Sequence, residues 1–378
     1  MRVGLDLTAL LPEATGVDVA LLGVARALLN GDRESRYTLF INAEDRARFA
    51  GWAEPARVLP FCLRPRAARL AFQQAVLPAT AAALRLDVVH SPSFVMPLVR
   101  GGARHVLTVH DLTSFSLPET HVPLRRSSAY RQAVVASIRR SDVVTVPSRF
   151  ARSDLLRRFP DVPADRVRVV PWGIDEAFRV RTRDQARSLL AHHRLPERFV
   201  LFVGTLEPRK NLRVVLRAWR RLLRAGAAIG DLVLAGRLGW GYDALLEDIA
   251  SAELAARVHR LGYVAQDDLP SLYAAADVFV YASREEGFGF PPLEAMACGV
   301  PVVASDCSAL AENLGDAAHL VAPDDEVALV EAIARVQGDD ALRAELRRRG
   351  LERAARFRWR DSAAALRRCY AELASSAR

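Results

Sequence analysis

Short apolar runs recur along the chain, and the stretches between them often carry helical spacing. In the first half the runs are VGLDL (3–7), YTLFI (37–41), LDVVH (86–90), HVLTVH (105–110), DVVTV (142–146) and VRVVP (167–171). In the second half they are RFVLFVG (198–204), DLVLAG (231–236), RVHRLGY (257–263), DVFVYAS (277–283), PVVAS (301–305) and AHLVA (318–322). Runs this continuously apolar suit parallel strands buried on both faces. Between them the period lengthens. Leu212, Val215, Leu216, Trp219 and Leu222 share one helical face, and Arg213, Arg217, Arg220 and Arg224 lie elsewhere on the wheel. Alternation of strand and helix predicts βαβ units in open α/β sheets.

About six strands in each half predict two sheets of Rossmann type rather than one of twelve. A length of 378 residues also exceeds what a single core usually holds. The break is expected within 172–197, a polar stretch that closes on Pro196. Two or three helices follow the last strand, the final one starting near Trp359. The domains are therefore expected at 1–175 and 195–355, with a terminal helix at 359–376.

Composition narrows the class. With 51% apolar and 26% charged residues the chain is globular. No apolar run reaches the ~18 residues that span a bilayer, and MRVGLDLTALLPEATG lacks the pattern of a signal peptide. Cys62, Cys298, Cys307 and Cys369 are scattered without CxxC or zinc spacing, so a reduced cytoplasmic protein is expected. The net charge of +9 is uneven: residues 1–180 hold 25 Arg against 17 acids, and the remainder is nearly balanced. That excess fits nucleic acid, an anionic acceptor, an anionic membrane surface, or an Arg-rich composition with no target. LRPRAARLAFQQAVL (63–77) reads either as a basic amphipathic membrane surface or as an ordinary helix on a sheet. Basic and aromatic residues do not interleave as a nucleic-acid binder requires.

Ligands bind open α/β sheets outside the carboxyl ends of the strands, so the loops there carry the chemistry. SREEGFGFPPLEAMACGVPVVAS (283–305) is the most informative. Gly287 and Gly289 admit close backbone approach, and Pro291 and Pro292 suit the first turn of a helix. Glu286 and Glu294 flank the loop. A helix N-terminus there attracts phosphate, and two carboxylates could accept hydroxyls on either side of it, which is the shape of a nucleotide sugar. The bland alternative is a Gly-rich turn with two solvated acids. FVGTLEPRKNLRVVL (202–216) leaves another strand end through Gly204. Arg209 and Lys210 stand there to neutralise a diphosphate, with Asn211 as the expected N-cap. Lys210 is the one lysine in the chain; every other member of the 53 Lys plus Arg is arginine. An ammonium is a compact point charge, a guanidinium a wide planar fork. LTVHDLTSF (107–115) offers His110, as a donor to a sugar hydroxyl or as a satisfied core histidine. Gly16, in LLPEATGVDVALLG, opens a further phosphate-approach turn. There is no GxGxxG, GxSxG or Walker loop, no Asp-x-Asp pair and no His/Cys cluster with metal spacing.

Taken together, EGFGFPPLE, GTLEPRKN, AGRLGWGYDALL, VHDLTSF and DVVTVPSRFARSDLL resemble the retaining GT-B glycosyltransferases of family 4, over nearly the whole chain. The resemblance implies two Rossmann-like domains facing across a cleft, with a nucleotide sugar held mainly by the second and a C-terminal helix crossing back to the first. It implies that Arg209 and Lys210 bind the donor diphosphate, that Glu294 binds ribose hydroxyls, and that Glu286 sits by the transferred sugar. Backbone at Phe288, Gly289 and Phe290 would contact sugar and phosphate, His110 would contact the sugar and be needed for transfer, making it catalytic with Arg209, Lys210 and Glu286, and Gly204, Arg237 and Gly287 complete the donor set. The base is expected near Gly262, Tyr263 and Val264 at a strand end. The first loop departs from the pattern: Gly16 is its only glycine.

GRLGWGYDALL looks like the mannosyltransferases of bacterial surface polysaccharide synthesis. That favours GDP-mannose as donor, with UDP-glucose or a dTDP-sugar behind it, and a lipid-linked or saccharide acceptor at the inner face of a membrane. No metal and no other cofactor is expected. A nucleotide-sugar epimerase of the same fold remains the alternative.

Overall fold

The computed structural model describes residues 1–52, 57–58, 63, 66–121, 127–189, 191–193 and 195–375. Cys62, residues 64–65 of the candidate basic surface, residues 190 and 194 of the expected break, and residue 376 lie outside them. The first sheet contains β1 (Arg2–Asp6), β2 (Arg36–Ile41), β3 (Arg57–Val58), β4 (Val88–Ser91), β5 (Arg104–Thr108), β6 (Val143–Val146) and β7 (Val167–Val169). The second contains β8 (Phe199–Val203), β9 (Asp231–Ala235), β10 (Val258–Gly262), β11 (Val278–Tyr281), β12 (Val302–Ser305) and β13 (His319–Val321). Their orders are β3-β2-β1-β4-β5-β6-β7 and β10-β9-β8-β11-β12-β13, and neighbours pair in parallel. Each of the twelve apolar runs holds one strand. β3 is the addition, and at two residues it is too short to leave a periodic pattern.

All five residues of β8 and all four of β11 are buried, as strands covered on both faces require. In both sheets the connections run outward from a central pair, β1 with β4 and β8 with β11. The direction of winding reverses there, and that switch point is where such sheets bind ligands. The helix Leu212–Arg224 covers the second sheet with Leu212, Val214, Val215, Leu216, Ala218, Trp219 and Leu222. Its outward arginines pair with acids, Arg217 with Glu326 at 2.7 Å and Arg213 with Asp248 at 2.9 Å. Asn211 precedes this helix but does not cap it through its side chain. It adopts the left-handed conformation (φ 54°, ψ 33°) and its amide donates to the Pro323 carbonyl at 2.7 Å. Asn tolerates that backbone conformation better than most residues, which corrects the expected role.

Two compact units divide the chain. The first comprises Met1–Leu112, Ser127–Gly173 and Arg358–Arg378, the second Thr113–Arg126 and Ile174–Phe357. The terminal helix Trp359–Ser375 thus packs within the first unit. Tyr370 hydrogen-bonds His90 Nδ1 at 2.7 Å, Arg367 pairs with Asp32 at 3.2 Å, and Ser362 donates to the Pro171 carbonyl at 2.5 Å. The segment Thr113–His121 follows β5 in sequence yet groups with the second unit. Ser116 donates to Glu285 at 2.7 Å, Trp240 Nε1 donates to the Thr120 carbonyl at 2.6 Å, and the His121 ring stacks on Trp240. The described part of 63–77 buries Leu63, Phe72 and Leu77 against Phe40 and Leu86, so that face is a sheet-covering one. No helix among the described residues is long and apolar enough to cross a membrane.

Gly23, in the helix Gly16–Gly31, is where the terminal helix comes closest. A Cβ there would stand 2.3 Å from the Trp359 ring. Gly23→Ala is expected to destabilise the protein by roughly 1–3 kcal/mol through overpacking, measured by chemical denaturation. An unchanged midpoint would show that the terminal helix yields freely.

Candidate active site

The loops leaving β8 and β11 meet at the switch point of the second sheet. After β8 the chain turns at Gly204 and forms one short turn, Pro208–Lys210, that presents two adjacent cations. A Cβ on Gly204 would lie 3.9 Å from Lys210 Cε, so the turn runs close to the lysine stem. Lys210 Nζ donates to the Tyr281 hydroxyl and to Glu286 Oε1, both at 2.6 Å. Arg209 meets Glu286 Oε2 at 3.0 Å, Glu207 at 2.8 Å and the Glu285 carbonyl at 2.8 Å. Glu286 Oε1 also accepts from Ser283 at 2.7 Å and Tyr281 at 3.0 Å, and the Glu286 amide donates to Ser308 Oγ at 2.9 Å.

Glu207, Lys210 and Glu286 are each 8% exposed. Burial alone would raise the Glu286 carboxyl, but Arg209 and Lys210 overcome it and hold the group down at about 2. Burial and Arg209 lower the Lys210 ammonium, while Glu286 and Glu207 hold it up. Burial and the Glu286 charge push the Tyr281 phenol well above its ordinary value, so it stays neutral. Two cations and two carboxylates therefore sit together with no net charge, each dependent on its partners for burial. The resemblance assigned Glu286 to the sugar; in this structure its carboxylate bridges both cations.

Glu294 belongs to a second buried group. The helix Phe290–Ala297 starts behind Gly289 at φ 91°, where a Cβ would also press to 2.6 Å from Leu310. Phe288 packs edge-on against Phe290 and Phe357, and its carbonyl accepts from Asn313 at 2.7 Å. Glu294, 5% exposed, accepts a hydrogen bond from Tyr273 at 2.9 Å. Burial pushes its carboxyl up to about 7, Tyr273 acting against this and Asp175 adding to it.

The remaining candidates separate. Arg237 offers its carbonyl to the Leu206 amide at 2.9 Å, tying the turn after β9 to the loop after β8. Tyr263, 42% exposed, and Val264, buried, follow β10, the edge strand two places from β8. Gly287 stands beside Glu286 in the loop, next to the pinned Phe288. Gly16 and His110 are in the first unit. Gly16 is the first residue of its helix, and the neighbouring Leu11 and Thr15 amides already donate to Asp18 at 2.9 and 2.8 Å. His110 is packed by Phe94 and Trp172, and its Nε2 lies 2.7 Å from the Pro92 carbonyl. A carbonyl only accepts, so Nε2 carries a hydrogen and donates it to Pro92.

Glu207, Tyr273, Tyr281 and Ser283 escaped the sequence reading. For two of them a signal exists: Tyr281 and Ser283 are hydroxyl-bearing residues at i and i+2 where an otherwise apolar strand ends, so they share a face.

Two doubly wound sheets with cation-lined loops at a switch point fit a GT-B glycosyltransferase. The family described as Glycosyltransferase Family 4 matches residues 14–178, and Glycosyl transferases group 1 matches 197–339. The chain is 36% identical to O-antigen chain mannosyltransferase B of Escherichia coli over 275 residues, 72% of this chain and 71% of that protein. It is 32% identical to the D-inositol 3-phosphate glycosyltransferase of Salinispora arenicola, over 80% of this chain and 72% of that protein. It is 29% identical to the serotype-specific mannosyltransferase WbdA of Escherichia coli over 68% of this chain, which spans about a third (32%) of that longer protein. In fold it is similar to sucrose-phosphate synthase from Thermosynechococcus elongatus, with a TM-score of 0.79 at 23% identity and 99% coverage of both chains. The chain belongs to family 4 of the glycosyltransferases and is a hexosyltransferase.

The raised Glu294 carboxyl has a thermodynamic signature. Its folded-state value lies above the unfolded one, so its unfavourable contribution is absent at low pH, grows above about pH 4.5 and is complete above about pH 7. Glu294→Gln keeps the acceptor for Tyr273 and removes the charge. Its stability relative to wild type is expected to rise between pH 5 and 8, by at most about 3 kcal/mol. Denaturant titrations at both pH values check this, and a constant difference overturns the assignment.

Proposed function

We propose that this glycosyltransferase moves mannose from GDP-mannose to an acceptor hydroxyl with retention of anomeric configuration and without a metal. The observation that carries this reading is the Arg209–Lys210–Glu286 cluster at the switch point of the second sheet. A diphosphate entering there exchanges with the Glu286 carboxylate as partner of the cations. Lys210 spends two N–H groups on Tyr281 and Glu286, and an ammonium has three. Charge that develops on the leaving diphosphate is met by Arg209 and Lys210, the role a metal would otherwise fill. The bond from the anomeric carbon to the diphosphate oxygen breaks as the acceptor oxygen bonds on the same face, and the acceptor's proton passes to that diphosphate oxygen. Glu294 accepts the ribose hydroxyls, most strongly as the carboxylate. Gly287 to Phe290 supply backbone contacts to sugar and phosphate, and His110 contacts the sugar.

Mannose is favoured because O-antigen chain mannosyltransferase B and WbdA are among the chain's relatives. The D-inositol 3-phosphate glycosyltransferase relative keeps another donor, UDP-glucose or a dTDP-sugar, as the second reading. The basic excess of the first 180 residues supports an anionic, lipid-linked acceptor in surface polysaccharide synthesis at the cytoplasmic face of a membrane.

A thermal-shift screen with GDP, UDP and dTDP and their sugars tests the donor. GDP-mannose is expected to give the largest rise in Tm, and a larger rise with UDP-glucose selects the second reading. Lys210→Ala and Glu294→Ala are then assayed for transfer. Losing the ammonium is expected to cost roughly 10²–10³ in rate, and Lys210→Arg is expected not to restore it. Near-wild-type transfer in both alanine variants would remove these residues from the site. Donor consumption independent of any acceptor would point to an epimerase.

A further inference from the structure

We infer that Tyr281 is a positioning residue that aims the Lys210 ammonium at the donor diphosphate. This rests on the reading of Lys210 as a diphosphate-binding cation. Tyr281 ends β11 and its side chain is fully buried. Its ring is stacked between Phe202, at 5.7 Å and 17°, and Phe279, at 5.9 Å and 21°. The hydroxyl therefore projects from a fixed ring. It lies 2.6 Å from Lys210 Nζ and 3.0 Å from Glu286 Oε1. An ammonium has no lone pair to offer, so the phenol's one hydrogen goes to Glu286 and its oxygen accepts from Lys210.

The two partners of Lys210 differ in kind. Glu286 holds the ammonium and cancels its charge, while Tyr281 holds it and cancels nothing. When an incoming diphosphate takes Glu286's place, only the neutral partner remains to keep the lysine from swinging on its rotatable stem. With one N–H held by Tyr281, the direction that Glu286 occupied passes to the diphosphate. Among the described residues no third partner for Nζ is present. An arginine holds its N–H groups in the plane of the fork, whereas the three of the ammonium are set tetrahedrally at the end of a slim stem.

The test is a double-mutant cycle with Tyr281→Phe, which keeps the stacked ring, and Lys210→Ala. Tyr281→Phe is expected to lower kcat about tenfold, to change donor Kd less than about threefold, and to leave Tm within a few degrees. In the Lys210→Ala background it is expected to cost less than about twofold more. An equal loss in both backgrounds overturns the inference, because the hydroxyl is then acting on the core and not through the lysine. Impaired Lys210→Ala beside wild-type kcat in Tyr281→Phe also overturns it and leaves the reading of Lys210 standing. Near-wild-type Lys210→Ala removes that reading and this inference together. The single lysine permits a second measurement on the wild-type protein. With ¹⁵N-lysine labelling the one side-chain ammonium is expected as a slowly exchanging signal, and a solvent-averaged ammonium overturns the inference whether or not the variant folds.

Discussion

The second sheet's chemistry depends on one carboxylate held between two cations. Glu286 comes from the loop after β11, and Arg209 and Lys210 come from the loop after β8. These strands are hydrogen-bonded neighbours at the point where the winding reverses. Parallel pairing brings both loops to the same end of the sheet, so residues more than seventy positions apart meet without a connecting segment of their own. Burial makes the arrangement all-or-none. Removing one partner of a buried pair leaves a bare charge, typically at a cost of about 3–5 kcal/mol. Glu207 on Arg209 and Ser283 on Glu286 complete the balance.

The two glutamates flanking the glycine loop show how environment divides one residue type into two roles. Both are nearly buried, and burial pushes both carboxyls up. Glu286 faces two cations and is ionised at any working pH. Glu294 faces Tyr273, which donates a single neutral hydrogen bond, and it titrates near neutrality. One group is a fixed anion and the other takes its charge from conditions. A ligand that donates hydroxyls to Glu294 favours the ionised form and draws a proton off the protein, so pH sensitivity of binding concentrates there.

Much of the fold was legible because parallel strands covered on both faces need continuous apolar runs. Where contacts far apart in sequence decide the outcome, the pattern is silent. β3 spans two residues. The segment Thr113–His121 follows a first-sheet strand, yet Ser116 on Glu285, Trp240 on Thr120 and His121 on Trp240 attach it to the second unit. Asn211 has a capping residue's chemistry but a left-handed backbone that turns its side chain elsewhere. At the site Arg209, Lys210, Glu286 and Glu294 stood out in the sequence because charges beside glycines at strand ends need a reason, whereas Glu207 did not. The neutral groups that position them were not, because a tyrosine ending a buried strand looks like core until its hydroxyl is located.

The chain's preference for arginine sharpens the meaning of its lysine. On exposed helix faces the guanidinium fork pairs directly with carboxylates, as in Arg224 on Glu253 and Arg217 on Glu326. The fork also suits Arg209, whose nitrogens reach Glu207, Glu286 and the Glu285 carbonyl from one plane. The next position has a different task. Its cation shares Glu286 with that fork, touches a phenol at 2.6 Å, and does so in a slot bounded by Gly204. The Arg209 fork takes Glu286 Oε2 and Glu207, while the ammonium reaches the phenol and Glu286 Oε1 from the end of a slim stem. A point charge beside a fork thus shares one anion without competing for the same oxygen.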